Sequence, residues 1–163
     1  MATLAKTYKT RNDLPLDTHT NVNALLNQTL ASSLDLKTQI KQAHWTVKGM
    51  DFYQLHSLFD EMATEMEDYV DMVAERVAAL GGTPVGTARV AAANSILEEY
   101  PLDSVQGIEH VTALADRYGT FAAHVRQAIT STDGWGDADT ADLYTEISRG
   151  IDKRLWFLEA HLV

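Results

Sequence analysis

The sequence contains no cysteine, only three prolines and fewer basic than acidic residues, and each shortage excludes a class of protein. Without cysteine, the chain cannot be a disulfide-stapled scaffold, a thiolate zinc protein, an iron–sulfur protein or a thiol enzyme. Thirteen Lys and Arg against 23 Asp and Glu give a formal net charge of −10, which argues against general nucleic-acid binding by the folded body. A chain of 163 residues can bury enough surface to fold as one domain without staples.

Long apolar runs are missing as well. None approaches the roughly 20 residues that a membrane-spanning helix needs. The first six residues lack the apolar core of a secretory signal, so we expect the chain to begin where the sequence does. These features favour a cytoplasmic protein with no membrane partner.

Apolar residues at helical spacing predict four long helices, because the prolines interrupt the chain at only three points. We expect these helices over residues 18–48, over residues 52–80, from residue 104 to about 129, and from residue 138 to about 162. Asp103 and Gln106 have the spacing of a capping box at the start of the third helix. Residues 133–136 predict the turn before the fourth.

The stretch of residues 81–103 is too long for a simple turn, and residues 87–98 predict a short extra helix within it. Four long helices with one long crossover in the middle are typical of an all-α, ferritin-like four-helix bundle. We therefore predict a bundle domain over residues 15–163, preceded by a flexible N-terminal tail over residues 1–14.

The predicted second helix carries an unusual concentration of acids: residues 49–75 include eight acids and no Lys or Arg. At about 100° per residue, one arc away from the apolar stripe holds His56, Asp60, Glu67, Asp71 and Glu75. Such an arc is most often a solvated face, but solvated helices usually interleave opposite charges at i,i+4 spacing. An uncompensated acidic face therefore predicts bound cations, a partner helix, or both.

Distance decides how these groups can share a metal. His56 and Asp60 are one turn apart, as are Asp71 and Glu75, but 11 residues, about 16 Å, separate the two pairs. A two-fold axis near residues 65–66 would set two copies of the helix antiparallel, so that each pair faces the other pair of the second chain. Imidazole and carboxylates without thiolate suit Fe(II), Mn or Zn. The internal ferritin site needs Glu-x-x-His pairs, and the sequence has none.

A longer pattern resembles the Dps family, the DNA-protection-during-starvation miniferritins. The resemblance covers nearly the whole chain. It is carried by residues 43–49 (Ala-His-Trp-Thr-Val-Lys-Gly), His56-x-x-x-Asp60, Asp71-x-x-x-Glu75-Arg76, Gly81-Gly82, and residues 10–13 and 152–157. On its own, His44 would more often be a buried histidine than a ligand. The other four histidines, at positions 19, 110, 124 and 161, fit no ligand spacing and are predicted to be structural.

The resemblance implies a homo-dodecamer of four-helix subunits in the bacterial cytosol or nucleoid, enclosing a cavity that stores ferric mineral. It implies ferroxidase sites in which His44, His56 and Asp60 come from one chain and Asp71 and Glu75 from its dimer mate. The implied reaction is oxidation of Fe(II), preferably by hydrogen peroxide, with O2 as the other oxidant, which protects against oxidative damage. Zn2+ is expected to compete at the same site.

Further residues receive roles from the resemblance alone. Trp45 corresponds to a site-adjacent tryptophan that can be oxidised, although packing at the dimer contact accounts for it equally well. Asp137, Asp139 and Asp142 resemble acidic three-fold pores that admit cations, but Asp near a helix N-terminus is also favoured by capping and the helix dipole.

The N-terminal tail raises the question of DNA. Lys6, Lys9 and Arg11 resemble the basic tail with which some family members bind DNA, but a shell of chains carrying −10 each would repel the duplex elsewhere. We expect weak binding or none. Two alternatives to an iron oxidase stay open: a DNA-binding, nucleoid-protecting shell, and a shell that holds Zn or another divalent ion without turnover.

Overall fold

The helical periodicity is realised as five α-helices in the computed structural model, which describes residues 6–163. They are α1 (Leu16–Thr46), α2 (Phe52–Ala79), α3 (Ala88–Asn94), α4 (Gly107–Gly134) and α5 (Ala138–Glu159). In this part of the chain the only extended pairing is an isolated bridge between Lys48 and Gln106. The predicted all-α class is confirmed.

Two helical hairpins form the bundle. The short link over residues 47–51 folds α2 back along α1, and the turn over residues 135–137 folds α5 back along α4. The crossover between the hairpins contains α3, which packs on α1 and is shorter than the predicted residues 87–98. The predicted four-helix bundle with an extra helix in its crossover is thus confirmed. No helix in the described residues combines the length and apolarity needed to cross a bilayer.

The core lies between the four long helices, where each contributes an apolar stripe. Its largest fully buried side chains include Phe59, Tyr118, Phe121 and Tyr144. On α2 the buried stripe leaves the opposite, acidic side of the helix facing outward, as the predicted periodicity required. The bundle therefore presents that acidic side on its surface.

The start of α4 differs from the prediction. The capping box is formed by Gln106 and Glu109, and not by Asp103 and Gln106. The Glu109 carboxylate accepts hydrogen bonds from the backbone N–H groups of Val105 and Gln106, at 2.7 and 2.9 Å. These bonds lower the pKa of Glu109. The Glu109 carboxylate satisfies two backbone N–H groups that have no partner within the helix. It therefore stabilises the start of α4 better than the upstream Asp103.

The segment that precedes α1 in the sequence lies beside the turn that ends α2. The N–H of Tyr8 donates to the carbonyl of Gly81 at 2.7 Å, and the Thr83 hydroxyl donates to the carbonyl of Lys6. Gly81 has φ of 74°, and a side chain there would place Cβ 2.4 Å from the Tyr8 oxygen. Residues 1–5 of the predicted flexible tail lie outside the described residues, and the flexibility of residues 1–14 stays a prediction.

Candidate metal centre

The end of α1 and the beginning of α2 bring His44 and His56 together. Their rings stack with centroids 3.7 Å apart and planes 18° from parallel. His44 Nδ1 lies 2.7 Å from the carbonyl oxygen of His56, and His56 Nδ1 lies 2.8 Å from that of His44. Because a carbonyl only accepts, each Nδ1 carries a proton, and in the neutral form of each ring the lone pair is on Nε2. This is how proteins orient a histidine as a metal ligand.

Asp60 lies beside the imidazole pair, one turn along α2 from His56. Its Oδ1 is 3.9 Å from Nε2 of His44 and 2.8 Å from Nζ of Lys41. The hydrogen bond from Lys41 and its charge hold the pKa of Asp60 below the usual value. The carboxylate is therefore ionised at neutral pH, and a metal that binds it competes with Lys41.

These three side chains open into a surface cleft of about 690 Å³. The rest of its lining comes from the outer face of α2 and from one residue of α5: Ser57, Glu61, Thr64, Glu65, Asp68 and Arg154. The cleft is open and polar, with acids in excess. Such a lining favours small hydrated cations over an apolar ligand.

Asp71 and Glu75 do not reach this cleft. Both are exposed on α2 and lie beyond it along the helix. Within residues 6–163, no group of three or more His, Asp or Glu side chains is placed to hold a metal ion by itself. One chain thus presents His44, His56 and Asp60 at one place and two further carboxylates at another, and their use in one shared site stays a prediction.

The acidic face of α2 is not uncompensated, and that part of the prediction is wrong. Basic side chains reach it from the neighbouring helices. The ion pairs are Lys37–Glu67, Lys41–Asp60 at 2.8 Å, Arg154–Glu65 at 2.7 Å and Arg154–Glu61 at 3.3 Å. Local charge spacing could not show these pairs, because their cations lie 19 to 93 residues away in the sequence.

The other four acids of residues 49–75 make no ion pair with any described residue: Asp51, Asp68, Asp71 and Glu75. Two of them, Asp71 and Glu75, are the pair that the resemblance assigns to the second chain. Their carboxylates are exposed and free of cations from the described part of their own chain. They are therefore available to a ligand that another copy brings.

Trp45 follows His44 at the end of α1 and projects from the surface. It is 67% exposed, and the Lys41 ammonium lies 5.9 Å from its ring centroid. A large aromatic side chain this exposed suits either a contact with a second copy or an oxidisable position beside the site. Both predicted roles for Trp45 stay open.

Asp137 is not available to line a pore, which corrects the prediction for this residue. It is 2% exposed and caps α5, accepting from the backbone N–H of Thr140 at 3.0 Å. Nη2 of Arg76 donates to the same carboxylate at 2.8 Å. Asp139 and Asp142 are exposed, so the pore role stays a prediction for these two.

Two of the histidines predicted to be structural lie among the helices. His110 Nδ1 is 2.5 Å from the hydroxyl of Tyr100, and His124 Nε2 is 2.8 Å from that of Thr29. Burial lowers the pKa of both imidazoles, which favours their neutral forms. Neither contributes to the cleft.

Sequence reasoning missed two residues at the site, Lys41 and Arg154. Lys41 precedes His44 by three residues on α1, so helical spacing placed it on the same side, and that signal was available. Arg154 lies 89 residues from Glu65, and only the packing of α5 against α2 brings the two together. No local pattern points to that contact.

Known proteins resemble this chain along its length. A family model described as a ferritin-like domain matches residues 23–163. The DNA protection during starvation protein of Agrobacterium fabrum is 45% identical over 157 residues, which cover 96% of this chain and 97% of that protein.

Solved structures show the same similarity. DpsC from Streptomyces coelicolor superposes with a TM-score of 0.91 at 32% identity, over 97% of this chain and 92% of that one. Dps from Listeria innocua soaked with zinc gives a TM-score of 0.82 at 30% identity, over 86% of this chain and 95% of that one.

Proposed function

Because this chain belongs to the Dps family of ferritin-like proteins, we propose that it oxidises Fe(II) at sites shared between two subunits. The Fe(III) product is stored as mineral inside a dodecameric shell in the bacterial cytoplasm. Iron is the substrate and cargo of this reaction. Hydrogen peroxide is the preferred oxidant and O2 the other, so that the reaction removes two sources of oxidative damage together.

One observation carries the proposal: the paired imidazoles of His44 and His56 beside Asp60. Both Nδ1 protons are held by backbone carbonyls, which leaves Nε2 of each ring for a ligand, and both side chains line an open acidic cleft. A core histidine pair would not leave two acceptors beside an ionised carboxylate at the surface. The arrangement supports a half-site that awaits further oxygen ligands, and Asp71 and Glu75 of a second copy would supply them.

The ligand set fits the chemistry. Neutral imidazoles retain Fe(II), while hard carboxylate oxygens favour the Fe(III) product. Two Fe(II) ions give one electron each to hydrogen peroxide, its O–O bond breaks, and with two protons two water molecules form. Because both electrons arrive together, hydroxyl radical is not released. In this scheme the Asp60 carboxylate leaves Lys41 when iron binds.

Iron oxidation can be followed by adding Fe(II) and then peroxide to the purified protein and recording ferric absorbance. We expect His56→Ala and Asp71→Ala to slow the initial rate by at least about tenfold, since each removes one ligand of the site. His161→Ala and Asp116→Ala are matched controls, because both residues are exposed and lie outside the cleft. Ligand variants that assemble and oxidise iron at the parental rate would overturn the assignment.

One competing function is the binding of Zn2+ without turnover, and a solved structure of Listeria innocua Dps was soaked with zinc. Imidazole nitrogens bind Zn2+ strongly, and the usual affinity order gives Fe(II) no advantage. A protein that binds Zn2+ at His44 and His56 but produces no ferric absorbance with peroxide would be a metal-holding shell without turnover.

DNA binding is the other competing function, and the names of the relatives favour it. Lys6, Lys9 and Arg11 are exposed, but each chain also carries a net charge of −10. We propose weak or no binding at physiological salt, because phosphate contacts weaken steeply with salt. Gel retardation of duplex DNA by the intact shell at about 0.15 M salt would contradict this.

A further inference from the structure

Arg154 is the one basic side chain, other than the two histidines, among the described residues that line the cleft. It projects from α5 across the outer face of α2, and its side chain is 12% exposed. Its Nε donates to Glu65 at 2.7 Å and its Nη1 donates to Glu61 at 3.3 Å. The guanidinium thus joins two carboxylates that stand one helical turn apart.

Glu65 is held at both oxygens. Oε2 accepts from Arg154, and Oε1 accepts from the hydroxyl of Tyr69 at 3.2 Å. Glu61 is 66% exposed and depends on Arg154 alone for a charged partner among the described residues. Without the guanidinium, the carboxylate of Glu65 would be half-buried beside the cleft without a charged partner, and that of Glu61 would be free to move into the cleft.

Two carboxylates at i,i+4 spacing in an open cleft are a ligand set for a hard divalent cation. The spacing is the same as that between His56 and Asp60. A guanidinium stays charged at every physiological pH and fills the space between the two carboxylates with its own donors. A metal ion would therefore have to displace a nearly buried arginine to bind there.

We propose that Arg154 is a positioning residue that keeps Glu61 and Glu65 from binding metal and so confines divalent cations to the shared site to which His44, His56 and Asp60 belong. This inference rests on the proposed function, because it takes those three residues, together with Asp71 and Glu75 of a second copy, as the ligands. It concerns where metal binds in the cleft, and its first readout is the number of ions bound.

The test uses Mn2+ alone, which oxygen ligands bind readily, with the intact shell in equilibrium dialysis and electron paramagnetic resonance. We expect Arg154→Met to bind about one additional Mn2+ per chain relative to the parent, with a signal typical of oxygen coordination. Arg126→Met is the matched control, since Arg126 pairs with Asp152 at 2.8 Å and both are about half exposed. We expect it to add no Mn2+.

A second variant separates positioning from mere structural disturbance. Adding Glu61→Gln and Glu65→Gln to Arg154→Met should return the Mn2+ count to the parental value, because the carboxylates that formed the extra site are gone. Damage from losing a packed arginine would not be reversed in this way. Arg154→Met with the parental Mn2+ count, or an extra ion that persists after both Glu changes, would overturn the inference.

A variant that keeps the arginine covers the case in which Arg154→Met does not assemble. Glu61→Gln with Glu65→Gln should leave the Mn2+ count of the parent unchanged, and a lower count would overturn the inference. Failure of the proposed function would give a different result: the His56→Ala variant would bind as much Mn2+ as the parent. If His56→Ala reduces it while Arg154→Met adds none, only the role of Arg154 is overturned.

Discussion

At the scale of single residues, the reciprocal hydrogen bonds between His44 and His56 decide what the two imidazoles can do. Each ring is fixed by the backbone of the other, with Nε2 left free. The spacing of His56 and Asp60 could be predicted from the sequence. His44 could not be assigned from its neighbours, since Ala43 and Val47 are core residues and favour a buried histidine. The contact across 12 residues holds its ring at the cleft, and metal binding by His44 stays a prediction.

His124 predicts a pH dependence of stability. Burial lowers its pKa in the folded state, so the unfolded chain binds the proton more readily. The unfolding free energy should therefore be unaffected well above pH 6.5, the ordinary histidine value, and fall as the pH drops through and below it. Urea unfolding at pH 8 and pH 5 should show a smaller difference for His124→Gln than for the parent.

The exposed His161 provides the control for this comparison. His161→Gln should keep the full difference between the two pH values. A pH dependence that His124→Gln leaves unchanged would show that other groups, such as the buried His110, account for the acid sensitivity.

At the scale of helices, α2 and α5 approach closely at one glycine. A Cβ on Gly150 would lie 1.8 Å from the hydroxyl of Tyr69, the side chain that also holds Glu65. The missing side chain therefore lets α5 bring Arg154, one turn further on, over the outer face of α2. Close packing here shapes the cleft.

Gly150→Ala should destabilise the protein by about 1–3 kcal/mol, because the methyl group overpacks the contact with Tyr69. Gly119→Ala is the matched control, since this glycine also lies inside a helix but a Cβ there would meet no described atom beyond its own helix backbone and chain neighbours within 4 Å. Because Ala is preferred over Gly inside helices, Gly119→Ala should stabilise the folded protein by about 0.5–1 kcal/mol. Equal effects of the two changes on the urea midpoint would contradict this account.

Asp137 joins two helices, because its buried carboxylate caps α5 and pairs with Arg76 of α2. Asp137→Ala should lower the unfolding free energy by about 2–4 kcal/mol, since it removes the cap and leaves the guanidinium without its partner. The exposed Asp139→Ala should cost far less, about 0.5 kcal/mol. If Asp137→Ala lowered the unfolding free energy only slightly and mainly slowed iron entry, the pore role of this residue would be restored.

How far the helices could be predicted depends on the range of the interactions. Apolar spacing placed all four long helices, because each helix buries one continuous stripe. The capping box at Gln106 and Glu109 lies three residues later than predicted, because the Glu109 carboxylate accepts from the backbone N–H groups of Val105 and Gln106. Of the cations that reach α2, Lys41 could be predicted from its helical spacing to His44 on α1, whereas Arg154 could not, because it comes from α5.

At the scale of the whole molecule, the net charge of −10 is partly offset where the acids are densest. Lys37, Lys41 and Arg154 pair with four of the eight acids of residues 49–75, and Asp71 and Glu75 stay unpaired among the described residues. The bundle fold could be predicted from one chain. A pairing between two chains was predicted from the 11-residue spacing, since no single helix can bring the two pairs together, and from the resemblance to the Dps family.

The central claim is that two chains share each site, and mixing the two slowed ligand variants tests it most directly. His56→Ala and Asp71→Ala chains are unfolded together, refolded and assayed for iron oxidation, with each variant refolded alone as control. A dimer of one chain of each kind keeps all ligands at one of its two sites, so random pairing should restore about a quarter of the parental rate. A mixture no faster than the separate variants would contradict the shared site.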